Sequence, residues 1–182
     1  MDRNILTGHR AASLPARAAI VLAGTALLAL AARVQVPFWP VPMTLQTLAV
    51  LMIGATLGAR MAGATLLAYL AEGAVGLPVF ASGAGLAYMA GPTGGYLLGF
   101  LFAASFVGLA ADRRWLRGLV PTAAVMLAGA ALIYAPGVAW LAGLIGVEKA
   151  VAAGLLPFLP AEAFKLALAV LLVWPLARRG RV

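Results

Sequence analysis

Two ionisable residues, Glu162 and Lys165, fall inside an apolar segment close to the end of the chain. A charged side chain within a membrane is costly, so such residues are functional candidates by default. Their spacing of three places the carboxylate and the ammonium on one helix face, where they can pair. One interpretation is an interfacial ion pair that anchors the start of a helix. We favour a charge pair at the mouth of a cavity that binds a polar, hydrogen-bonding solute.

Other polar side chains are predicted to lie at the same depth as this pair. Thr44 and Gln46 begin an earlier apolar run, and Trp39 stands in a proline-rich segment just before it. A glycine-rich stretch supplies the remaining candidates for substrate binding: Ser82, Tyr88, Thr93 and Tyr96.

The glycine-rich stretch, residues 76–96, contains six glycines, two prolines and no formal charge between two long apolar runs. Such a backbone cannot continue as one regular helix. At membrane depth, irregular backbone is tolerated only where protein buries it or where it lines a cavity. The stretch is therefore predicted to form the wall or lid of a ligand pocket.

The composition predicts an all-α integral membrane protein, because 64% of the 182 residues are hydrophobic and 10% are charged. Soluble domains carry about 25% charged residues, and a membrane span needs about 20 apolar residues. We predict a single membrane domain, residues 1–182, with a compact bundle of six transmembrane helices. A polar arm, residues 1–14, precedes helices at about 14–34, 43–58, 60–77, 94–111, 119–146 and 161–178. The fifth helix is expected to break near Pro136-Gly137 or to include a re-entrant segment, with Glu148 and Lys149 in a polar turn after it.

The basic residues predict that both termini are cytoplasmic. Two lie on the predicted outer side, Arg33 and Lys149, and Lys165 falls within the sixth helix. Ten lie on the predicted cytoplasmic side: Arg3, Arg10, Arg17, Arg60, Arg113, Arg114, Arg117, Arg178, Arg179 and Arg181. This bias has the sign that cytoplasmic loops show.

Several functional classes find no support in the sequence. The chain has no cysteine, and its one histidine, His9, lies in the polar arm, so neither a metal site nor thiol chemistry is predicted. No segment matches the phosphate-binding loop of ATPases. The net charge of +8 is dispersed over the ends of apolar runs, which does not favour nucleic-acid binding. No catalytic residue and no cofactor is predicted.

Three segments resemble the signature segments of the BioY family, the substrate-binding S components of energy-coupling-factor (ECF) biotin transporters. They are VPMTLQTL at residues 41–48, GAVGLPVFA at residues 73–81 and GPTGGYLLG at residues 91–99. The similarity extends from the first predicted helix to the sixth, with the segments in the expected order.

The resemblance implies a six-helix protein of the bacterial cytoplasmic membrane that captures biotin from the outer side. A partner transmembrane T component and ABC-type ATPase subunits would then drive uptake. The family's site includes an acidic residue and a lysine early in helix 6, which correspond to Glu162 and Lys165. The acidic position is usually Asp, so Glu162 is a departure. The loop at Pro37–Pro42 would act as a lid, and small residues on helix 1, with Ala19 and Ala23 as candidates, would contact the T component.

Biotin suits such a pocket, since it combines an apolar bicycle and chain with a ureido group and a carboxylate. Glu162 could accept from the ureido N–H groups, and Lys165 could donate to the ureido oxygen or to the carboxylate; the sequence leaves both open. Two alternatives are an S component for another vitamin, such as riboflavin, thiamine or folate, and a small membrane enzyme acting on lipid. Assembly of the chain into a homo-oligomer is also left open.

Overall fold

The structure is a computed structural model that describes residues 13–178. Most of the predicted polar arm, with Arg3, His9 and Arg10, therefore lies outside the described residues, as do Arg179 and Arg181.

Helices dominate the described chain, and each of the six predicted spans has a helical counterpart. The elements are α1 (Leu14–Arg33), β1 (Gln35–Val36), β2 (Met43–Thr44), α2 (Gln46–Ala74), α3 (Gly85–Met89), α4 (Gly94–Asp112), α5 (Leu119–Ile145), α6 (Val147–Gly154) and α7 (Leu159–Arg178). Short 3₁₀ turns at Trp115–Arg117 and Leu156–Phe158 lead into α5 and α7.

The long element α2 is a helical hairpin and accounts for the second and third predicted spans. A straight helix would separate Gln46 and Tyr69, which are 23 residues apart, by roughly 35 Å, yet their side chains are hydrogen-bonded at 2.6 Å. The chain reverses at Gly58, whose φ of 74° leaves the helical region. Asp112 then accepts a hydrogen bond from the backbone N–H of Ala59 at 3.1 Å, so it caps the second arm, residues 59–74.

The predicted break in the fifth helix is wrong, because α5 continues through Pro136 as one helix of 27 residues. Proline inside a membrane helix is tolerated where neighbouring elements accommodate the freed backbone. The helix ends at Gly146, whose φ is 87°. The prediction that Glu148 and Lys149 form a polar turn between helices is wrong, because both residues lie at the start of helix α6.

The proline-rich segment before α2 is a small hairpin. Gln35 pairs with Thr44 and Val36 with Met43 in antiparallel register, and all three prolines lie in the connection, where no backbone N–H is required for the ladder. Thr44 consequently belongs to a strand and not to the predicted second helix, which begins at Gln46.

The outer surface of the bundle is apolar, as expected for a multi-pass membrane protein. Among the described residues, five helical segments are long and apolar enough to cross a membrane. Large aliphatic side chains such as Leu22, Leu127 and Leu171 are more than half exposed, which is the pattern of a surface that faces lipid.

Candidate functional site

A cavity opens at the end of the bundle where α1 finishes and α7 begins. Its volume is about 50 Å³. This volume admits only a few water molecules, so a larger ligand can bind only if lining side chains move. The lining residues are Val41, Pro42, Met43, Thr44, Gln46, Thr47, Phe80, Ala81, Tyr88, Thr93, Tyr96, Leu97, Phe100, Ile133, Tyr134, Phe158 and Lys165.

The first turns of α7 bring Glu162 and Lys165 together as a buried ion pair. Lys165 Nζ lies 2.6 Å from Glu162 Oε2, and the two residues are 6% and 4% exposed. Two hydroxyl groups from other helices donate to the same carboxylate oxygen, Thr47 at 2.9 Å and Tyr134 at 3.0 Å. The pair is therefore a fixed, desolvated centre that joins α2, α5 and α7, and not an exposed interfacial anchor.

The two partners differ in how fully their hydrogen-bonding capacity is used. An ammonium has three N–H donors, and those of Lys165 meet Glu162 Oε2, Thr47 Oγ1 at 2.6 Å and the carbonyl of Thr44 at 3.2 Å. Glu162 Oε1, in contrast, is buried and has no hydrogen-bond partner within the described chain. A buried acceptor without a partner is destabilising, so this oxygen, just behind the lining residue Lys165, is the atom of the pair with capacity for a further donor.

Gln46 also lines the cavity, at the start of α2 and next to Thr44, whose carbonyl accepts from Lys165. Its side-chain amide donates to the hydroxyl of Tyr69 at 2.6 Å and to the carbonyl of Leu28 at 3.4 Å. Thr44 Oγ1 donates to Gln46 Oε1 at 3.3 Å and accepts from the Gln46 backbone N–H at 3.2 Å. Both predicted residues thus line the cavity within one polar network.

Tyr88, Thr93 and Tyr96, which belong to the glycine-rich stretch, also line the cavity. The ring of Tyr88 stacks on Phe80, with centroids 5.2 Å apart and planes inclined by 17°. Tyr96 donates to the carbonyl of Gly154 at 2.7 Å and so ties α4 to α6. The stretch forms a cavity wall, as predicted, and includes one short helix, α3, that the sequence did not predict.

Ser82 and Trp39, two predicted site residues, lie outside this cavity. Ser82 is exposed, whereas its neighbour Ala81 turns inward and lines the cavity. Trp39, at the tip of the hairpin, is 86% exposed and borders a separate outer groove together with Lys149. In irregular backbone no periodicity shows which side chains turn inward, so the sequence offered no basis for separating Ser82 from Ala81.

Ala19 and Ala23, the predicted contacts for a T component, are both exposed on α1. They are not part of the cavity, and the bundle leaves this face of α1 uncovered.

Two residues of the polar centre were missed as site candidates. Thr47 bridges Lys165 and Glu162, and Tyr134 reaches the carboxylate from the middle of α5. A tyrosine hydroxyl deep inside an apolar span needs a buried partner, and this rule could have identified Tyr134. Thr47 gave no such signal, because a membrane helix can satisfy a threonine hydroxyl with its own carbonyls.

The site as a whole is an apolar, aromatic chamber with a few polar groups. Phe80, Phe100 and Phe158 supply apolar surface, Gln46 supplies a hydrogen-bond acceptor, and Glu162 adds a second acceptor just behind the lining residue Lys165. This arrangement suits binding of a compact, largely apolar solute that carries N–H groups.

Comparison with known proteins gives this site a context. A model of the BioY family matches residues 6–181. The chain is 38% identical to the "Probable biotin transporter BioY" of Pyrococcus horikoshii, over 81% of this chain and 87% of that protein. It is 37% identical to the "Biotin transporter BioY" of Thermotoga maritima, over 81% of this chain and 88% of that protein.

The fold agrees with a solved structure of the same kind. The crystal structure of an S-component for biotin from an ECF-type ABC transporter superposes with a TM-score of 0.75 at 25% sequence identity, covering 91% of this chain and 94% of the other. Because the family model covers nearly the whole sequence and the fold and the relatives agree with it, this chain belongs to the BioY family.

Proposed function

We propose that this protein is a biotin-binding S component that mediates biotin uptake across the bacterial cytoplasmic membrane. The observation that carries the proposal is the buried Glu162–Lys165 pair, which leaves one carboxylate oxygen without a partner beside an apolar cavity. The names of its relatives and of the superposed S component support biotin as the ligand. These relatives are named as transporters, not as enzymes.

The chemistry of biotin matches the atoms of this site. A ureido N–H donates to Glu162 Oε1, which gives that buried oxygen the partner it lacks. Lys165 has already used its three donors on protein acceptors, so its main role is to hold the carboxylate and balance its charge. The rings of Phe80, Tyr88 and Phe158 pack against the apolar bicycle.

Glu162 is the acidic residue of this site, although the family pattern usually has Asp at that position. The longer side chain is accommodated because Thr47, Tyr134 and Lys165 converge on its Oε2 atom. We propose that this clamp compensates for the additional methylene group.

Biotin titration into the detergent-purified protein tests the function. Saturable quenching or enhancement of tryptophan fluorescence is expected, and Trp140 is a suitable reporter because its indole N–H donates to the carbonyl of Gly91, two residues before the cavity-lining Thr93. Riboflavin, thiamine and folate should not compete. Folded protein that binds one of these vitamins and not biotin would establish the alternative, and protein that binds none of them would refute the proposal.

Energy for uptake comes, in this proposal, from a T component and ABC-type ATPase subunits; the superposed S-component belongs to an ECF-type ABC transporter. The exposed face of α1 around Ala19 and Ala23 is the proposed T-component contact, since small residues let helices approach closely within a membrane. Ala23→Trp should therefore reduce co-purification with a co-expressed T component and leave biotin affinity unchanged. Loss of biotin binding, or unchanged co-purification, would contradict this assignment.

A further inference from the structure

A buried chain of hydrogen bonds runs behind the cavity wall and crosses three segments. It joins the carbonyl of Leu28 in α1, the amide of Gln46, the hydroxyl of Tyr69 and the carbonyl of Val79. Tyr69 is fully buried and Gln46 is 4% exposed. Gln46 lines the cavity and Tyr69 does not.

The two ends of this chain determine the direction of every hydrogen bond in it. Backbone carbonyls only accept, so the single hydroxyl proton of Tyr69 is donated to Val79 at 2.9 Å. The tyrosine oxygen must then accept from Gln46, and the second amide N–H of Gln46 faces the carbonyl of Leu28. The reversed amide would leave the Val79 carbonyl without its donor and would oppose the Gln46 oxygen to that of Leu28.

The consequence is that Gln46 presents its oxygen, and not its NH₂ group, on the side of Thr44 and the cavity. Thr44 uses one lone pair of Gln46 Oε1 at 3.3 Å, and an amide oxygen has a second lone pair. Gln46 lines the cavity, and Glu162 lies just behind the lining residue Lys165, so the acceptors that a ligand meets when the lining moves are Gln46 Oε1 and Glu162 Oε1.

Tyr69 also positions the wall that carries the aromatic rings. Its ring meets Phe80 edge-on at 5.4 Å, and Phe80 stacks on Tyr88. Phe80 fits there because position 73 is glycine: a Cβ atom on Gly73 would overlap the Phe80 ring. One residue outside the cavity is thus connected to both the polar and the aromatic wall.

We propose that Tyr69 is a specificity-determining positioning residue, which fixes the Gln46 amide as an acceptor and so selects a ligand that has N–H donors on two sides. This inference rests on the proposed binding of biotin. In biotin, one ureido N–H meets Glu162 and the other meets Gln46. A ligand of the same shape that lacks the second donor leaves the Gln46 oxygen opposed to another acceptor.

The test compares biotin with its two cyclic carbamate analogues, in each of which one ureido N–H is replaced by an oxygen atom. Wild-type protein should bind both analogues more weakly than biotin. In Tyr69→Phe the Gln46 amide loses its 2.6 Å partner and keeps only the 3.4 Å contact with the Leu28 carbonyl, so its orientation is less fixed and the penalty against one analogue should fall about tenfold. The penalty against the other analogue, which reports on Glu162, should not change.

Thr65→Val is the matched control, because Thr65 is a fully buried residue on the same arm of α2 whose hydroxyl donates to the carbonyl of Met61 at 2.8 Å. It should bind biotin and both analogues in the wild-type ratio. A Tyr69→Phe protein that loses affinity for all three ligands equally would show a merely structural role and overturn the inference. Failure of the wild type to bind biotin would overturn the proposed function as well.

A variant of Gln46 tests the same inference should Tyr69→Phe not fold. Gln46→Leu removes the acceptor and should abolish the discrimination against the same analogue. If wild type and Gln46→Leu reject both analogues equally, Gln46 presents no acceptor to the ligand and the proposal fails.

Discussion

The two ends of the bundle are held together by different means. At the cavity end, buried polar side chains from α2, α5 and α7 converge on Glu162. The opposite end, defined by the apolar cluster around Leu51, Val107 and Val173, is held by apolar packing and by close backbone approach over small residues, which α4 and α5 also show at Gly95 and Gly99. A Cβ atom on Gly108 would lie 2.6 Å from the backbone nitrogen of Ala59.

This difference separates the stability of the fold from its binding function. The close-packed end fixes the α2 hairpin on α4 through contacts that only small residues permit. The cavity end contains a charge pair that is costly to bury and an oxygen that has no partner. Substitutions at the two ends should therefore differ in kind: one end should lose stability and the other should lose ligand.

The largest effect is expected for Lys165→Met, which removes the cation and leaves the Glu162 carboxylate buried. Breaking a buried pair in this way costs roughly 3–5 kcal/mol, and biotin affinity should fall by about 100-fold or more. Fluorescence titration and thermal unfolding in detergent measure the two effects.

Two variants control for this loss. Lys149→Met removes an exposed cation at the same end of the bundle and should leave affinity unchanged. The double variant Lys165→Met/Glu162→Gln removes both charges and should recover thermal stability without recovering binding. Recovery of binding in the double variant would show that the pair is structural and contradict its place in the site.

The opposite result is expected for Gly108→Ala at the close-packed end. The added methyl group would meet backbone atoms of Gly58 and Ala59 at 2.6–2.7 Å, which cannot move aside as a flexible side chain can, so stability should fall by roughly 1–3 kcal/mol. The biotin affinity of the folded protein should change by less than about twofold, because the sites are distant and independent.

Gly63→Ala is the matched control for the effect of adding a methyl group. Its Cβ would be in ordinary contact, 3.5 Å from Ser105 Oγ, and alanine favours helix over glycine. Thermal unfolding should thus show unchanged or greater stability. Equal destabilisation by Gly108→Ala and Gly63→Ala would mean that the close backbone approach at Gly108 does not account for the loss of stability.

The contrast between the packed bundle and its polar site also explains which features the sequence could predict. Helices of an apolar bundle follow from composition and length, and Glu162 and Lys165 attract notice because charges within spans are rare. The partners of Glu162 could not be found in this way, because Thr47 and Tyr134 lie 115 and 28 residues away in the chain and only packing brings them together. The break at Pro136 was predicted from a local rule that neighbouring helices override.

The β1–β2 hairpin was missed for a related reason. Two-residue strands show no alternation that a sequence pattern could reveal, and their pairing is visible only in three dimensions. The exposed Ser82 and the lining Ala81 differ in direction and not in chemistry, so the sequence could not place them.

A smaller effect is expected for Tyr134→Phe, which removes one of three donors to Glu162 Oε2 and keeps the ring that meets Tyr96 edge-on. Hydrogen bonds to charged groups contribute roughly 1.5–3 kcal/mol. Because Thr47 and Lys165 still hold the carboxylate, we expect a loss near the lower limit, about 1.5 kcal/mol. Biotin affinity measured by titration should therefore fall about tenfold. Affinity equal to that of the wild type would show that two partners suffice to orient Glu162.

The smallest effect is expected for Glu162→Asp, which restores the acidic residue usual at this position. The carboxylate would withdraw by one methylene from Thr47 and Tyr134, which approach from other helices and are held by their backbones. Lys165 shares the helix and has a flexible stem, so the ion pair should survive while the other two contacts lengthen. Titration should show biotin binding a few-fold weaker, about 1 kcal/mol.

The double variant Glu162→Asp/Tyr134→Phe tests whether the weaker biotin binding of Glu162→Asp comes from the loss of the contact with Tyr134. If the shorter carboxylate no longer reaches Tyr134, the second substitution should add little to the first, and the two effects should be clearly non-additive. Tighter binding by Glu162→Asp would instead mean that Glu162 strains the site and that the three-donor clamp does not compensate for its length.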